Sequence, residues 1–253
     1  MERLTLPGAE VTPYKYSAEP KLSEFVGLFA NVFSNEECEL IINFFEENIS
    51  RTVPGHTSSG ENKKAKESID LQLLPTPGER AVSTGYTWAI NPQCHKWIVE
   101  TLRERLSRVC KDYYENMLFN IQQDNPNDSI LPSNPTMCPT HFTSFQIQKY
   151  PKGSVGYPAI HTENDHYFFK DRILAPIIYL NDIKDGGETE ICLARMMFSP
   201  KAGGVLVIPT QPPCYHRGLP APHEDKYIIT SWLEYITDNQ ILEGLQQEDK
   251  GEI

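Results

Sequence analysis

Apolar residues change their spacing partway along the chain, from a helical period to a strand-like one. At Ser34-Asn35-Glu36-Glu37 the Ser-x-x-Glu spacing lets the Ser34 side chain cap an amide while Glu37 returns the bond, and Cys38, Ile41, Ile42 and Phe45 then recur on one face. Asn91-Pro92 is a second helix start, because Asn caps well and Pro at the first helical position gives up an amide that has no partner there. Behind it Ile98, Leu102, Leu106, Val109, Tyr113 and Met117 form a long stripe. Both helices are predicted to be amphipathic and to cover one side of a sheet. From Phe142 onward the pattern shortens to strands, at Phe142 to Tyr150, Ile173 to Leu180, Thr189 to Leu193, Gly204 to Pro209 and Tyr227 to Tyr235, each bounded by Gly, Pro, Asn or Asp. Alternation in the first of these puts Phe145 and Ile147 on one side and Ser144, Gln146, Gln148 and Tyr150 on the other, a polar face suited to a ligand cavity.

The intervening segments have no such period. Residues 1 to about 20 read as an extended lead-in that could pair at a sheet edge, and residues about 50 to 90 as a long mobile stretch or functional lid. Gln122 through Pro139, rich in Asn, Asp and Pro, reads as the loop that separates the helical half from the β half. Several short strands at close spacing imply a sandwich or barrel. No internal repeat is present, which removes solenoids and propellers.

Length and charge narrow the range of functions. At roughly 150 residues per domain, 253 residues can form one large domain with a real core. With 34 Asp+Glu against 23 Lys+Arg the formal net charge is −11, which disfavours nucleic acid and anionic membrane surfaces as partners. No apolar run reaches the 18 or more residues of a membrane span, and the start Met1-Glu2-Arg3-Leu4-Thr5-Leu6-Pro7 lacks the apolar core of a secretory signal, so a cytoplasmic location is expected. Cys38, Cys94, Cys110, Cys138, Cys192 and Cys214 show no CxxC pairing and read as reduced, mostly packed thiols.

The chemistry concentrates in His161-Thr162-Glu163 and a distant His216. In a strand or at its edge residues i and i+2 point the same way, so His161 and Glu163 can bind one cation together, and His216 on a neighbouring strand can complete the set. Two imidazoles and one carboxylate on one face of an octahedron leave three positions open, an arrangement suited to non-haem Fe(II). Downstream, alternation puts Lys226, Ile228, Thr230 and Trp232 on one side of a strand. A cation and a hydroxyl inside a cavity are costly unless they meet an anion, and a dicarboxylate cosubstrate would supply one.

From about Phe145 to Tyr235 the chain resembles the Fe(II)/2-oxoglutarate dioxygenases, and among them the prolyl 4-hydroxylase-like branch. The resemblance is carried by Lys149-Tyr150-Pro151-Lys152-Gly153-Ser154-Val155-Gly156-Tyr157, His161-Thr162-Glu163, Tyr179-Leu180-Asn181-Asp182, Gly186-Gly187-Glu188-Thr189, Pro200 with Gly203-Gly204, His216-Arg217-Gly218 and Lys226 through Trp232. It implies a mainly β, α+β fold, a double-stranded β-helix of the jelly-roll or cupin-like kind with flanking N-terminal helices. The expected organisation is one domain over residues 1–253, with a helical part at about 20–121 and a jelly-roll core at about 142–236. By the same resemblance His161, Glu163 and His216 would hold Fe(II), and Lys226 would bind the distal carboxylate of 2-oxoglutarate. Tyr179 would help Lys226, Thr230 lies on the same strand face, and Tyr150 looks like the phenol near the keto-acid end. Dioxygen would be consumed, with ascorbate as a supporting reductant.

Two departures stand out. The family usually has His-x-Asp where this chain has His161-x-Glu163, with Asp165 a rival ligand at the wrong spacing, and one extra residue between Tyr157 and His161 leaves the direction of Tyr157 unset. Halogenases of the superfamily lack the carboxylate, so Glu163 argues for hydroxylation. The implied activity is hydroxylation of an unactivated C–H of proline, another amino acid or a peptide. Competing readings are the same chemistry on another small metabolite in specialised biosynthesis, a non-catalytic jelly-roll metal-binding or sensor module, and a nucleic-acid demethylase, which the charge opposes. Partners are therefore a small-molecule or peptide substrate, with no nucleic acid and no membrane, and no residue pattern sets an oligomeric state. His56, His95, His141 and His223 read as surface or capping residues, and His166 as an ordinary loop histidine close to the iron motif. Trp232 reads about equally as cavity wall and as core. Arg195 and Arg217 read as solvated or as paired donors to a substrate carboxylate, and Lys63, Lys64 and Lys66 as a solvated charge run or a cover over an acidic substrate.

Overall fold

The computed structural model describes residues 21–23, 25–57, 60–73, 91–124 and 140–236. The elements in order are β1 (Lys21–Ser23), β2 (Val26–Phe29), α1 (Asn35–Glu47), β3 (Val53–Pro54), β4 (His56–Thr57), β5 (Gly60–Glu61), β6 (Ile69–Leu73) and α2 (Pro92–Asp124). The β half follows with β7 (Thr140–Tyr150), β8 (Tyr157–His161), β9 (Arg172–Tyr179), β10 (Thr189–Ile191), β11 (Met196–Phe198), β12 (Val205–Pro209), β13 (His216–Gly218) and β14 (Lys226–Tyr235). Eight strands form one antiparallel sheet in the order β1-β2-β12-β9-β14-β7-β6-β3, and four form a second in the order β11-β10-β13-β8. The two sheets make the jelly roll expected from the sequence, with the helices on the outer face of the larger one.

Strand alternation sorts the side chains into two cores. Phe145 and Ile147 of β7, Leu174 and Ile178 of β9, Val205 and Val207 of β12, and Tyr227, Ile229 and Leu233 of β14 pack toward Phe44 and Phe45 of α1 and Ile98, Leu102 and Leu106 of α2. Ala175, Ile177, Tyr179, Leu206, Ile208 and Ile228 belong to the inter-sheet core with Ile191 and Cys214. At about 1.5–3 kcal/mol for each fully buried large aliphatic or aromatic side chain, the helix-side layer is a major source of stability. The capping box of α1 is made as expected, with Glu37 N–H donating to Ser34 Oγ at 3.2 Å and Ser34 N–H to Glu37 Oε2 at 2.8 Å. Glu37 also takes both terminal nitrogens of Arg105 at 2.6 Å, which fastens α1 to α2.

The structure differs from the sequence reading in the first long segment. The described residues of 50–73 hold strands: β6 lies beside β7 in the main sheet, and β3 beside β6. The strands there are two to five residues long, too short for alternation to stand out. The same brevity hides β8, β11 and β13. Residues 74–90 of the expected lid, the lead-in over 1–20, most of the expected loop after α2 and Cys138 lie outside the described residues. The other five cysteines are free thiols, all buried but Cys192, and no helix among the described residues is long and apolar enough to cross a membrane.

Gly203 ties the chain before α1 to this framework, its carbonyl accepting from Val32 N–H at 2.7 Å and Phe33 N–H at 3.1 Å. Its φ is +76°, and a Cβ there would lie 1.9 Å from the Phe33 carbonyl oxygen. Gly203→Ala should therefore cost more than about 2 kcal/mol, combining a left-handed backbone penalty with a backbone clash, as read from the urea midpoint at unchanged slope.

Candidate metal centre

The two sheets enclose a cavity of about 250 Å³. The main sheet contributes Gln146, Gln148 and Tyr150 from β7, Ile177 from β9 and Lys226, Ile228, Thr230 and Trp232 from β14, while β8 and β13 supply Tyr157, His161, His216, Arg217 and Gly218. Register explains the set. Tyr150 pairs with Lys226, Gln148 with Ile228 and Gln146 with Thr230, so the i, i+2 faces of both strands turn inward together.

His161 and His216 are Cα partners across β8 and β13, and Glu163 follows two residues past the end of β8. Their ligand atoms lie within 4.8 Å of one another. The ring orientation is fixed by backbone: His161 Nδ1 lies 2.8 Å from the Ala159 carbonyl oxygen and His216 Nδ1 3.2 Å from that of Cys214. A carbonyl only accepts, so each Nδ1 carries a proton, and Nε2 is the nitrogen of each ring that faces Glu163 and that a metal would take in place of a proton. Glu163 Oε1 is 3.3 Å from His216 Nε2 and 3.7 Å from His161 Nε2. Donors at about 2.1 Å from an ion and at right angles to each other are about 3.0 Å apart, so the three donors frame a metal-sized gap.

The second oxygen of Glu163 is held from behind. Trp232 Nε1 donates to Oε2 at 2.8 Å, and Arg172 Nη1 lies 3.6 Å from the same oxygen while donating to the Glu163 carbonyl at 3.1 Å. Arg172 is itself sandwiched between Phe169 and Trp232, 3.9 and 4.0 Å from the ring centroids, and its Nε donates to Glu234 at 3.2 Å. Burial alone would neutralise Glu163, but the hydrogen bonds and charges of the two histidines outweigh it and hold the carboxyl well below the usual range. Burial likewise opposes charge on His161, and the neighbouring Glu163 reverses the direction to a net rise.

On the wall of the same cavity Lys226 is 4% exposed and donates to the Gly187 carbonyl at 2.7 Å. The rings of Tyr150 and Tyr179 lie 5.6 and 5.9 Å from its nitrogen. Burial pulls this ammonium down to about 8, against a small opposing pull from Glu188. Tyr179 does not reach the cavity directly; its hydroxyl donates at 2.8 Å to Thr189 Oγ1, and Thr189 lines the wall. The Tyr150 hydroxyl donates to Gln148 Oε1 at 2.8 Å, and Thr230 Oγ1 accepts from Gln148 Nε2 at 3.2 Å.

The structure thus brings all seven sequence-selected residues to one cavity or its immediate wall. Asp165 is exposed at the rim and stays outside the triad, Tyr157 lines the cavity with its ring stacked on His161 at 4.1 Å, and Trp232 is cavity wall. His166 is exposed, as a loop histidine should be, and caps the short helix Tyr167–Phe169. One reading needs correction: Lys66 is buried on the cavity wall. His56 is exposed as expected and also lines the cavity, and the partly exposed Arg217 lines it while paired with Glu190 at 2.7 Å. Sequence reasoning missed Arg172 and Thr189. Alternation with Ile191 could have pointed to Thr189, whereas Arg172 is two residues from Leu174 of the helix-side core and reaches the cavity only where the pairing with β14 shifts register at Leu233/Glu234.

Residues 145–234 match the family model described as the 2OG-Fe(II) oxygenase superfamily. No curated protein matches the chain. Among solved structures it is similar to a prolyl hydroxylase from Trichoplax adhaerens in complex with a hypoxia inducible factor oxygen degradation domain peptide, with TM-score 0.59 and 13% identity over 84% of each chain. It is similar to a Pseudomonas putida prolyl-4-hydroxylase, with TM-score 0.53 and 13% identity, covering 83% of this chain and 92% of that one. A viral collagen prolyl hydroxylase from Paramecium bursaria Chlorella virus-1, in complex with 2-oxoglutarate, gives TM-score 0.52 and 15% identity, covering 84% and 97%. At these identities the likeness is one of fold.

Trp232→Phe keeps the ring against Arg172 and deletes the donor to Glu163. Metal affinity, read by Mn(II) or Co(II) titration, should fall by about ten- to a hundredfold, the usual cost of losing a group that orients a metal ligand. Unchanged affinity would show that Oε2 needs no restraint.

Proposed function

We propose that this chain, an Fe(II)- and 2-oxoglutarate-dependent oxygenase by the membership of its residues 145–234 in the 2OG-Fe(II) oxygenase superfamily, hydroxylates an unactivated C–H of proline, a related amino acid or a peptide. His161, Glu163 and His216 are the proposed iron ligands. The donor set fits the ion: two imidazoles whose Nε2 atoms converge on one ionised carboxylate, with all three lining the cavity. With metal, 2-oxoglutarate and dioxygen bound, the site supplies oxidative decarboxylation of 2-oxoglutarate to succinate and carbon dioxide, with one oxygen atom of O2 in succinate and the other in the hydroxylated product.

The observation that carries this reading is the company the triad keeps. Lys226 is buried in the wall of the same cavity, and its hydrogen bond goes to a backbone carbonyl rather than a carboxylate. A cation so placed is costly unless an anion arrives, and a metal store or sensor has no use for one. The distal carboxylate of 2-oxoglutarate is the proposed anion, with Thr189, fixed by Tyr179, offering a hydroxyl beside it. The fold confines the reaction by the walls of both sheets. The limited volume also supports the second reading, the same chemistry on a different small metabolite.

The protein supplied with Fe(II) and 2-oxoglutarate should release succinate slowly even without substrate. His161→Ala should abolish this release and weaken metal binding, and retention of both would remove His161 from the ligand set. Lys226→Ala should weaken 2-oxoglutarate binding by about ten- to a hundredfold, as expected for one charged hydrogen bond of about 1.5–3 kcal/mol.

Affinity should also depend on pH in one direction. The charged ammonium is the form that holds the carboxylate, so binding is at full strength below about 8 and requires uptake of a proton above it. The dissociation constant should therefore rise by up to about tenfold per pH unit above 8, and Lys226→Arg, which stays charged, should flatten that rise. A flat wild-type profile through pH 10 would contradict the assignment.

A further inference from the structure

Lys66 separates from its neighbours in the charge run. Lys63 and Lys64 are exposed, whereas Lys66 is 4% exposed and lines the cavity. Backbone pairing turns it inward: Ala159 N–H donates to the Ala65 carbonyl at 3.4 Å and Glu67 N–H to that of Gly156 at 2.8 Å, so the residues on either side of Lys66 are tied to the β8 region. Gly55 leaves room for the stem, since a Cβ there would lie 2.1 Å from Ser68 Oγ and 3.1 Å from Lys66 Cε.

What holds Lys66 is a carboxylate that does not itself reach the cavity. Asp70 is 1% exposed, with Oδ1 accepting from Ser68 Oγ at 2.7 Å and Oδ2 from Lys66 Nζ at 2.9 Å and Gln146 Nε2 at 3.2 Å. The acceptors along the adjoining wall are used as well. Gln146 Oε1 and Thr230 Oγ1 accept from Gln148, and Gln148 Oε1 accepts from Tyr150. An ammonium has three donor directions; Asp70 takes one, and the nitrogen stands 5.5 Å from the Tyr157 ring centroid. A buried ion pair adds little stability over an apolar one of the same volume, so a pair set with its cation at a ligand cavity is better explained by a ligand than by the fold.

We infer that Lys66, oriented by Asp70, is a second anion subsite that takes the carboxylate of the substrate, making the substrate a small free acid such as an amino acid rather than an internal residue of a peptide. The inference rests on the oxygenase reading of the same cavity. Its location supports it: Tyr157 lies beside Lys66 and stacks on His161, one aromatic ring from the metal ligands, while Lys226 lies among Tyr150, Tyr179 and Gly187. A carboxylate at Lys66 would thus lie in the same cavity as the proposed metal ligands, one aromatic ring away from His161, in a space that 2-oxoglutarate would share.

The test uses the full chain with Fe(II) and 2-oxoglutarate and a panel of free amino acids and other small acids, each matched with its primary amide. Readouts are stimulation of succinate release and a mass gain of one oxygen. Acids should exceed their amides by about tenfold or more in kcat/KM, as for a lost charged hydrogen bond. The double variant Lys66→Met/Asp70→Asn removes both charges without stranding a buried carboxylate and should bring that ratio close to one. Lys66→Arg should preserve most of the preference. 2-Oxoglutarate affinity measured on the same proteins should change less than twofold, and an equal loss there would make Lys66 a cosubstrate anchor and overturn the inference. Stimulation by amides as strong as by acids, or by no acid at all, overturns it too. Absence of succinate release from the wild type overturns the oxygenase reading and this inference with it, whereas release without acid preference overturns this inference alone.

Discussion

Each inner strand of the large sheet has to serve two environments at once. β14, flanked by β7 and β9, gives Tyr227, Ile229 and Leu233 to the helix-side core and Lys226, Ile228, Thr230 and Trp232 to the cavity. A slip of one residue would exchange these sets, driving an ammonium and a hydroxyl into a layer of Phe and Leu and turning the apolar residues toward the metal. The long pairings of β14 with β7 and β9 therefore fix the chemistry as well as the fold. Everything that surrounds the metal site depends on that register.

Within the cavity the arrangement is governed by how buried charge is neutralised. Glu163 is met by Arg172, Trp232 and the two imidazoles, Arg172 is shared with Glu234, and Lys66 has Asp70. Lys226 differs, with Gly187 carbonyl as its hydrogen-bond partner and only a weak pull from Glu188. Buried charges cost several kcal/mol each unless compensated, so these two parts of the cavity wall are unequal by construction. One is a finished cluster around a gap for a cation, and the other is a cation waiting for an anion. A dicarboxylate that chelates a metal at one end and needs a counter-charge at the other fits that asymmetry.

Sequence patterning made much of this legible, for specific physical reasons. The helices announced themselves because α1 begins with a reciprocal cap and α2 carries a stripe long enough to count. The strands β7, β9, β10, β12 and β14 did so because Gly, Pro, Asn and Asp bound them. His161, Glu163 and His216 could be found because metal chemistry demands particular residue types, and Lys226 because one face of a strand should not hold an unpaired cation without a reason. What escaped were features made by contact between short segments. β6 has only five residues and pairs with β7 from far along the chain. Lys66 is buried because Ala65 and Glu67 bond to the region around β8, and nothing local distinguishes it from Lys63 or Lys64. Arg172 is recognisable only once Phe169, Trp232 and Glu234 surround it.

The glutamate in place of the more usual aspartate can be understood from this surrounding. A side chain one methylene longer has an additional torsion, and with it more ways to turn a carboxylate away from a metal or to chelate it with both oxygens. Here Oε2 is occupied by the indole N–H of Trp232 and the guanidinium of Arg172, while Oε1 faces the two imidazole nitrogens. The freedom that the longer arm adds is removed by groups from β14 and β9, and one oxygen is left for the ion. Because Arg172 is pinned by rings on both faces and by Glu234, it acts as a rigid stop rather than as a mobile counter-ion. Glu163, Trp232 and Arg172 therefore form one unit, in which the groups behind the carboxylate match its length and turn a single oxygen toward the two imidazoles.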